Sequence, residues 1–307
     1  MKLITTSVVR GTRQGESHGG VYLIDLEHRT VTQAIDWNKA DIDWQGRGWD
    51  RGLRGIAFDG DTVYIAASDE LFAYTTDFRR VGSWRCRYLK HCHEIAVWER
   101  TLFLTSTGYD SILGFDLDRR RFTWAMHVSA SDHRFRPRRY DPESDDGPLM
   151  LNKLHLNSVF CNRHGMYICG LRTGGMLHFN GRTLRMAVEL PAGTHNARPF
   201  RDGVLFNDTE ANALRYAGRG EGEEDRALRV PTYPPEQLTH TGEDTSGIAR
   251  QGFARGLAVL SEQVVAGGSS PSTVTLYDLA GNRRLLSVNL TRDVRNAIHG
   301  LEVWPYG

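Results

Sequence analysis

A short pattern recurs six times along this chain: one basic or imidazole side chain, followed at once by a brief apolar strand. It stands out in His155-Leu156-Asn157-Ser158-Val159-Phe160. It returns at Arg54-Gly55-Ile56-Ala57-Phe58, His93-Glu94-Ile95-Ala96-Val97, His195-Asn196-Ala197-Arg198-Pro199-Phe200, Arg255-Gly256-Leu257-Ala258-Val259 and His299-Gly300-Leu301-Glu302-Val303. Successive His/Arg positions are 39, 62, 40, 60 and 44 residues apart. A period near 40 residues marks a stacked supersecondary unit that cannot bury its own apolar face alone.

Within each unit the residues alternate as strands do. After Arg54 to Phe58 come the turn Asp59-Gly60-Asp61 and the segments Thr62 to Ala67, Glu70 to Tyr74 and Arg80 to Trp84, all rich in β-branched and aromatic residues. Four such strands make a propeller blade. The last unit stops after Val303, and three strands without a leader stand at the other end: Lys2 to Thr6, Gly20 to Asp25 and Thr30 to Ile35. The pattern therefore predicts an all-β fold, a six-bladed β-propeller spanning residues 1–307 as a single domain. In it the N-terminal strands join the C-terminal strand, which removes the open end.

The two long steps leave insertions at about 129–150 and 218–252 with no strand pattern. The first carries Arg134-Phe135-Arg136-Pro137-Arg138-Arg139, and the second carries Tyr233-Pro234-Pro235. Each precedes the inner strand of the next blade, so both are expected on the channel-mouth face, where long loops often carry function. The formal net charge is +1 and the basic run is followed directly by acids, so neither nucleic acid nor a membrane surface is an expected partner. No apolar run reaches the roughly 20 residues that span a bilayer. The N-terminus has no signal-peptide pattern, and the four cysteines form no CxxC pair. These features point to a reduced, cytoplasmic protein, monomeric or weakly oligomeric.

Inner strands line a propeller's axis, so Arg54, His93, His155, His195, Arg255 and His299 are expected to form a ring above apolar layers. Four imidazoles in register suggest a metal site, with His93, His155, His195 and His299 as ligands. His91 is close enough in sequence to replace His93, and the remaining histidines are expected mostly on the surface. Arg54 and Arg255 add positive charge, so a small anionic substrate is expected beside them, with His299 as an acid–base group. Tyr109, Arg172 and Asp208, in loops between second and third strands, are further substrate-contact candidates. Glu94, Asp69, Asp110 and Glu210 are candidate balancing acids, although turn chemistry is the better account of Asp69 and Asp110.

The blade pattern resembles the six-bladed superfamily that holds NHL-type and SMP-30-like proteins. The four inner-strand histidines resemble the Fe(II) site of carotenoid cleavage oxygenases in ligand logic. A propeller His set with an Arg also resembles the zinc-dependent peptidyl-hydroxyglycine amidating lyases, in which three histidines bind metal. His155-Leu156-Asn157-Ser158-Val159 resembles a motif of arylsulfotransferases, whose channel His and Arg act without metal. These resemblances imply, first, a mononuclear non-haem Fe(II) oxygenase or oxidoreductase, since four neutral ligands leave positions open on a six-coordinate ion. Next come a zinc lyase or hydrolase using three histidines, a metal-free sulfo- or phosphotransferase with a His nucleophile, and a non-enzymatic interaction propeller.

Overall fold

The computed structural model describes residues 1–12, 15–38, 52–131, 134–222, 224–243 and 249–307. It is an all-β, six-bladed propeller. In chain order of the inner strands, the first blade is Ile56–Asp59, Thr62–Ala66, Glu70–Tyr74 and Arg80–Arg85. The third is Leu156–Asn162, Gly165–Gly170, Gly175–Phe179 and Leu184–Glu189, and the fifth is Leu257–Val259, Val264–Ser269, Thr273–Asp278 and Arg283–Asn289. Closure follows the sequence reading. Asn296–Val303 pairs antiparallel with Lys2–Val9, which carries Gly19–Asp25 and Thr30–Asp36 outward as the sixth blade.

Two compact units make up the chain, Met1–Arg54 with Phe200–Gly307, and Gly55–Pro199. In the Gly55–Pro199 unit one core gathers Leu71, Leu89, Ile95, Leu102, Leu104 and Phe115, and a second gathers Ile112, Met126, Leu156, Ile168 and Leu177. The other unit is built on Leu205, Leu214, Tyr216, Leu257, Val265 and Tyr277, and on Leu3, Ile24, Ala266, Ile298 and Leu301. Of the inner-strand residues, Ile95 with Val97, Val159, Leu257 with Val259, and Leu301 with Val303 pack into these cores. Burying them against neighbouring strands removes apolar surface from water.

The insertions also differ from expectation. Arg121–Ser131 runs on, and Arg134–Tyr140 folds back along it from Ala125↔Tyr140 to Ser131↔Arg134 as a fifth strand of the second blade. The run alternates from 134 to 139: Arg134, Arg136 and Arg138 are exposed, while Phe135 packs on one core and Arg139 lies over the Trp124 ring; Tyr140, at the strand's end, packs on the other core. Pro137 is tolerated because this is the outermost strand, where the missing N–H breaks no inner ladder. In the second insertion Arg226–Arg229 completes the fourth blade beside Ala213–Gly218, so irregular chain begins only after it, with 3-10 turns at Pro235–Gln237 and Thr241–Glu243. Residues 244–248 lie outside the described set.

Candidate functional site

In the Gly55–Pro199 unit, His93, His155 and His195 come together. The rings of His93 and His155 are edge-to-face with centroids 5.3 Å apart, and those of His93 and His195 are 6.2 Å apart. Each ring is oriented the same way, through Nδ1. His93 Nδ1 lies 2.7 Å from the His91 carbonyl and 2.9 Å from Thr107 Oγ1, whose own proton goes to the Leu156 carbonyl. His155 Nδ1 is 3.0 Å from Asn152 Oδ1, and His195 Nδ1 is 3.0 Å from the Gly193 carbonyl. These partners accept, so all three nitrogens donate as Nδ1–H and all three Nε2 atoms carry the lone pair. His91 thus serves through its carbonyl, with its own ring turned to Ser68 Oγ at 3.4 Å.

The backbone is shaped to deliver these rings. His155 has a left-handed conformation, φ 57°, which a side chain with Cβ adopts only when its surroundings hold it there. The clamp is Asp110, 3% exposed. Its Oδ1 accepts the N–H of Leu154 at 3.0 Å and of His155 at 2.8 Å, and its Oδ2 accepts that of Lys153 at 2.5 Å. Glu94 ties its own strand to two further inner strands, accepting from Asn196 Nδ2 at 2.6 Å and from the Val159 N–H at 3.3 Å. Asn157 Nδ2 donates to the Thr194 carbonyl at 3.0 Å, and Ser158 Oγ accepts the Ala197 N–H at 3.2 Å.

The unit formed by Met1–Arg54 and Phe200–Gly307 holds Arg54, Arg255 and His299, which are 1%, 9% and 6% exposed. Arg255 Nη1 lies 3.1 Å from His299 Nε2 and 3.4 Å from its Nδ1. Of the four histidines expected as ligands, His93, His155 and His195 come together in one unit, and His299 belongs to the other, beside Arg255. Among the described residues, no three His, Cys, Asp or Glu side chains stand close enough to form a ready-made metal cluster. Burial, then Arg10 and Arg54, holds the Arg255 guanidinium well below its ordinary pKa, and burial followed by Arg250 lowers Arg10 to about 10.

Arg10, Arg250 and Phe253 are members of this group that the repeat did not point to. The guanidinium carbons of Arg255, Arg10 and Arg250 lie 4.7, 4.9 and 4.9 Å from the Phe253 ring centroid. The spacing Arg250-x-x-Phe253-x-Arg255, just ahead of an inner strand, was the available signal. A bulge turns His299: Thr5 pairs with Leu301 and Ser7 with Ile298, leaving Thr6 opposite both His299 and Gly300. Thr6 Oγ1 then donates to the Arg54 carbonyl at 2.6 Å and accepts the Gly300 N–H at 2.8 Å.

The loop candidates have partners within the chain. Arg172 donates to the carbonyls of Lys153, at 2.6 Å, and Asn152. Tyr109 packs edge-to-face on Tyr88 at 5.3 Å, and burial raises its pKa. Asp208 is buried, pairs with Arg215 at 3.1 Å and accepts the Ala211 N–H at 2.9 Å. Asp69 faces Lys90 at 3.5 Å, and Glu210 is exposed. His18, expected on the surface, is 1% exposed with Nδ1 against Thr12 Oγ1.

No protein-family model matches the sequence. A search of curated proteins gave no match either. Among solved structures the chain is similar to one in the crystal structure of a nidogen/laminin complex, with TM-score 0.62, 11% identity, and 99% of this chain and 98% of that one covered. It is also similar to a protein of unknown function from Bacteroides caccae, with TM-score 0.60, 10% identity and coverage of 98% and 100%. Likenesses at that identity show the propeller and nothing finer.

Proposed function

We propose that the chain is a metal-dependent enzyme acting on a small anionic substrate, with His93, His155 and His195 holding one divalent transition ion through Nε2. The observation that carries this is the shared Nδ1–H orientation of the three rings. Metal-binding histidines characteristically donate the other ring N–H to an oxygen, which fixes the tautomer and aims the lone pair. The donor chemistry fits Fe(II), Zn or a neighbouring divalent ion. Three neutral imidazoles leave one position open on a tetrahedral zinc and three on a six-coordinate Fe(II), so the donor set accommodates either ion.

Bound there, the ion would supply Lewis acidity and, as Fe(II), redox chemistry, so oxidoreductase activity is the first reading and lyase or hydrolase activity the second. The chain's own contribution is to hold three neutral imidazoles, with Asp110 and Asn152 fixing His155, and Thr107 and the His91 carbonyl fixing His93. The free thiols Cys86, Cys92, Cys161 and Cys169 support a reducing compartment such as the cytoplasm. No helix among the described residues is long and apolar enough to cross a membrane.

The test is elemental analysis of untagged, full-length protein as purified and after anaerobic reconstitution with Fe(II) or Zn(II). One ion per chain is expected, lost in His155→Ala. Absence of stoichiometric metal under all three conditions overturns the reading. A metal-free reaction, with His299 as acid–base group or nucleophile, is the second reading, favoured by the His299–Arg255 contact.

A further inference from the structure

We propose that a cleft between the second and third blades binds a small aromatic monocarboxylate, its ring against Trp98 and Trp124 and its carboxylate on Arg139. The cleft lies wholly within the Gly55–Pro199 unit and does not depend on the metal reading. His93 and His155 stand just before the inner strands Ile95–Trp98 and Leu156–Asn162, whereas Trp98 and Asn162 close those strands. Cleft and histidines therefore occupy opposite strand ends.

The cleft has a volume of about 290 Å³, at the small end of the range for ligand sites. At about 30 Å³ per water that is room for about ten waters, or for one bicyclic ring with a short side arm. Its floor is apolar. Met166 and Phe179 are buried there, and the partly buried Phe103 and Trp124 pack on the same core, edge to face at 5.6 Å. Trp98 forms a wall and is 36% exposed. Strand position does not impose that exposure, since Trp304, which likewise stands five residues after a repeat histidine, is 7% exposed. Indole surface left wet in a concave site is unfavourable until an apolar group covers it.

Arg139 sets the polarity. Its guanidinium carbon lies 5.8 Å from the Trp124 ring centroid, and its Nη2 donates to the Gly181 carbonyl at 3.3 Å, so it reaches from the second blade to the third. Both partners are neutral, and among the described residues no carboxylate pairs with it. The adjoining turns carry exposed Arg163 and Arg182 against Glu99, while Arg100 is taken by Asp59 and Asp118. Asn162 adds a donor to the lining: its Oδ1 accepts the His164 N–H at 2.9 Å, which leaves the amide NH₂ for a ligand. Aromatic walls alone would also suit a quaternary ammonium. A cation entering here, however, meets a guanidinium already seated on the Trp124 ring. An anion is attracted, and a planar carboxylate matches the guanidinium fork. The aromatic body follows from the walls, because rings stack and pack edge-on against indole and phenyl groups as alkyl chains do not.

The experiment is isothermal titration of the full chain at pH 7 and constant ionic strength with indoleacetate, naphthylacetate, octanoate, indoleacetamide and choline. Saturable one-to-one binding of at least one aromatic acid is expected, with a Kd of about 1 mM or below for ligands of that size. Indoleacetamide and octanoate should each bind about fivefold more weakly, and choline not at all. Arg139→Gln should weaken the acids about fivefold and leave the amide unchanged. Trp98→Ala should weaken acid and amide alike, about tenfold. Both side chains are exposed, so both variants should fold with Tm within about 2 °C of the unaltered chain. If Trp98→Ala does not fold, the acid–amide comparison in Arg139→Gln decides the matter. No saturable binding of either aromatic acid up to about 10 mM, unchanged acid affinity in Arg139→Gln, or octanoate or choline binding as tightly as the acids overturns the proposal. His155→Ala should remove metal while leaving acid affinity within about twofold, so the metal reading and this one fail separately.

Discussion

Asp110→Ala should unfasten the third blade's entry and release His155. The carboxylate is 3% exposed and accepts three consecutive backbone N–H groups, from Lys153, Leu154 and His155, at 2.5, 3.0 and 2.8 Å. Hydrogen bonds to a charged acceptor contribute about 1.5–3 kcal/mol each, and removing the acceptor leaves donors that must find water. Exposed Lys153 can do so, whereas Leu154 is buried. The expected loss is therefore about 3–5 kcal/mol for Asp110→Ala. Asp110→Asn keeps one oxygen for Leu154 and His155 but turns an NH₂ toward the Lys153 N–H, for a loss of about 2 kcal/mol. Urea unfolding gives the first number, and amide hydrogen exchange at residues 153–155 gives the local effect, with protection falling at least a hundredfold in the Ala variant. If Asp110→Ala costs under about 1 kcal/mol and exchange at His155 is unchanged, then Asp110 is not what holds the left-handed residue.

Further expectations follow from neighbouring observations. Asn152→Leu removes the acceptor of the His155 Nδ1–H, so ¹⁵N NMR should show a tautomer mixture at His155, with metal affinity falling 10- to 100-fold. Burial raises the thiols of Cys161 and Cys169 to about 12, so both should resist alkylation at pH 8 in the native state. An acid whose pKa is raised by folding binds more protons folded than unfolded. Each buried thiol therefore costs stability as pH rises from about 8.5 toward 12, by up to about 1.4 kcal/mol per unit. Pressing Cys169→Ala through the same pH series should give a visibly shallower decline. Leu149, Met150 and Leu151 are 76%, 57% and 57% exposed, so changing all three to Ser should move Tm by no more than about 2 °C.

What the sequence disclosed and what it hid divide along physical lines. Blade count, closure through Lys2–Val9 and the strand bounds near Thr62–Ala66 and Glu70–Tyr74 were legible because each is a period-two pattern bounded by turns. Arg134–Tyr140 was hidden because arginine stands on both its faces, at 134, 136 and 138 on one and at 139 beside Phe135 and Pro137 on the other, so charge masked the alternation. The grouping of His93, His155 and His195 was legible from repeat position. The neighbourhood of Arg255 and His299 was legible from blade order as well, whereas the contact between Arg255 Nη1 and the His299 ring, beside the bulge opposite Thr6, needed the structure.

The same distinction separates residues that carry chemistry from residues that hold them. A repeat exposes positions that are equivalent in every blade, so it found His155 and marked Asp110 as a candidate acid, but it could not show that Asp110 clamps His155, which depends on the turn at Thr107–Tyr109. Nor can it find Arg10, which belongs to the end of a strand whose leader lies at the far end of the chain, or Phe253, which precedes the repeated pattern by two residues. Both of these become visible only once closure has placed them in the unit that holds Arg255 and His299. Because the aromatic ring is shared by three guanidinium groups, Phe253→Leu is the substitution that separates charge from geometry. It keeps every formal charge and most of the volume while removing the π face. If the ring's π face contributes to holding Arg10, Arg250 and Arg255 together, Phe253→Leu should lower stability in urea unfolding by about 1–3 kcal/mol, and by less at high salt than at low salt. A loss that is the same at both salt concentrations would show that the ring contributes packing alone.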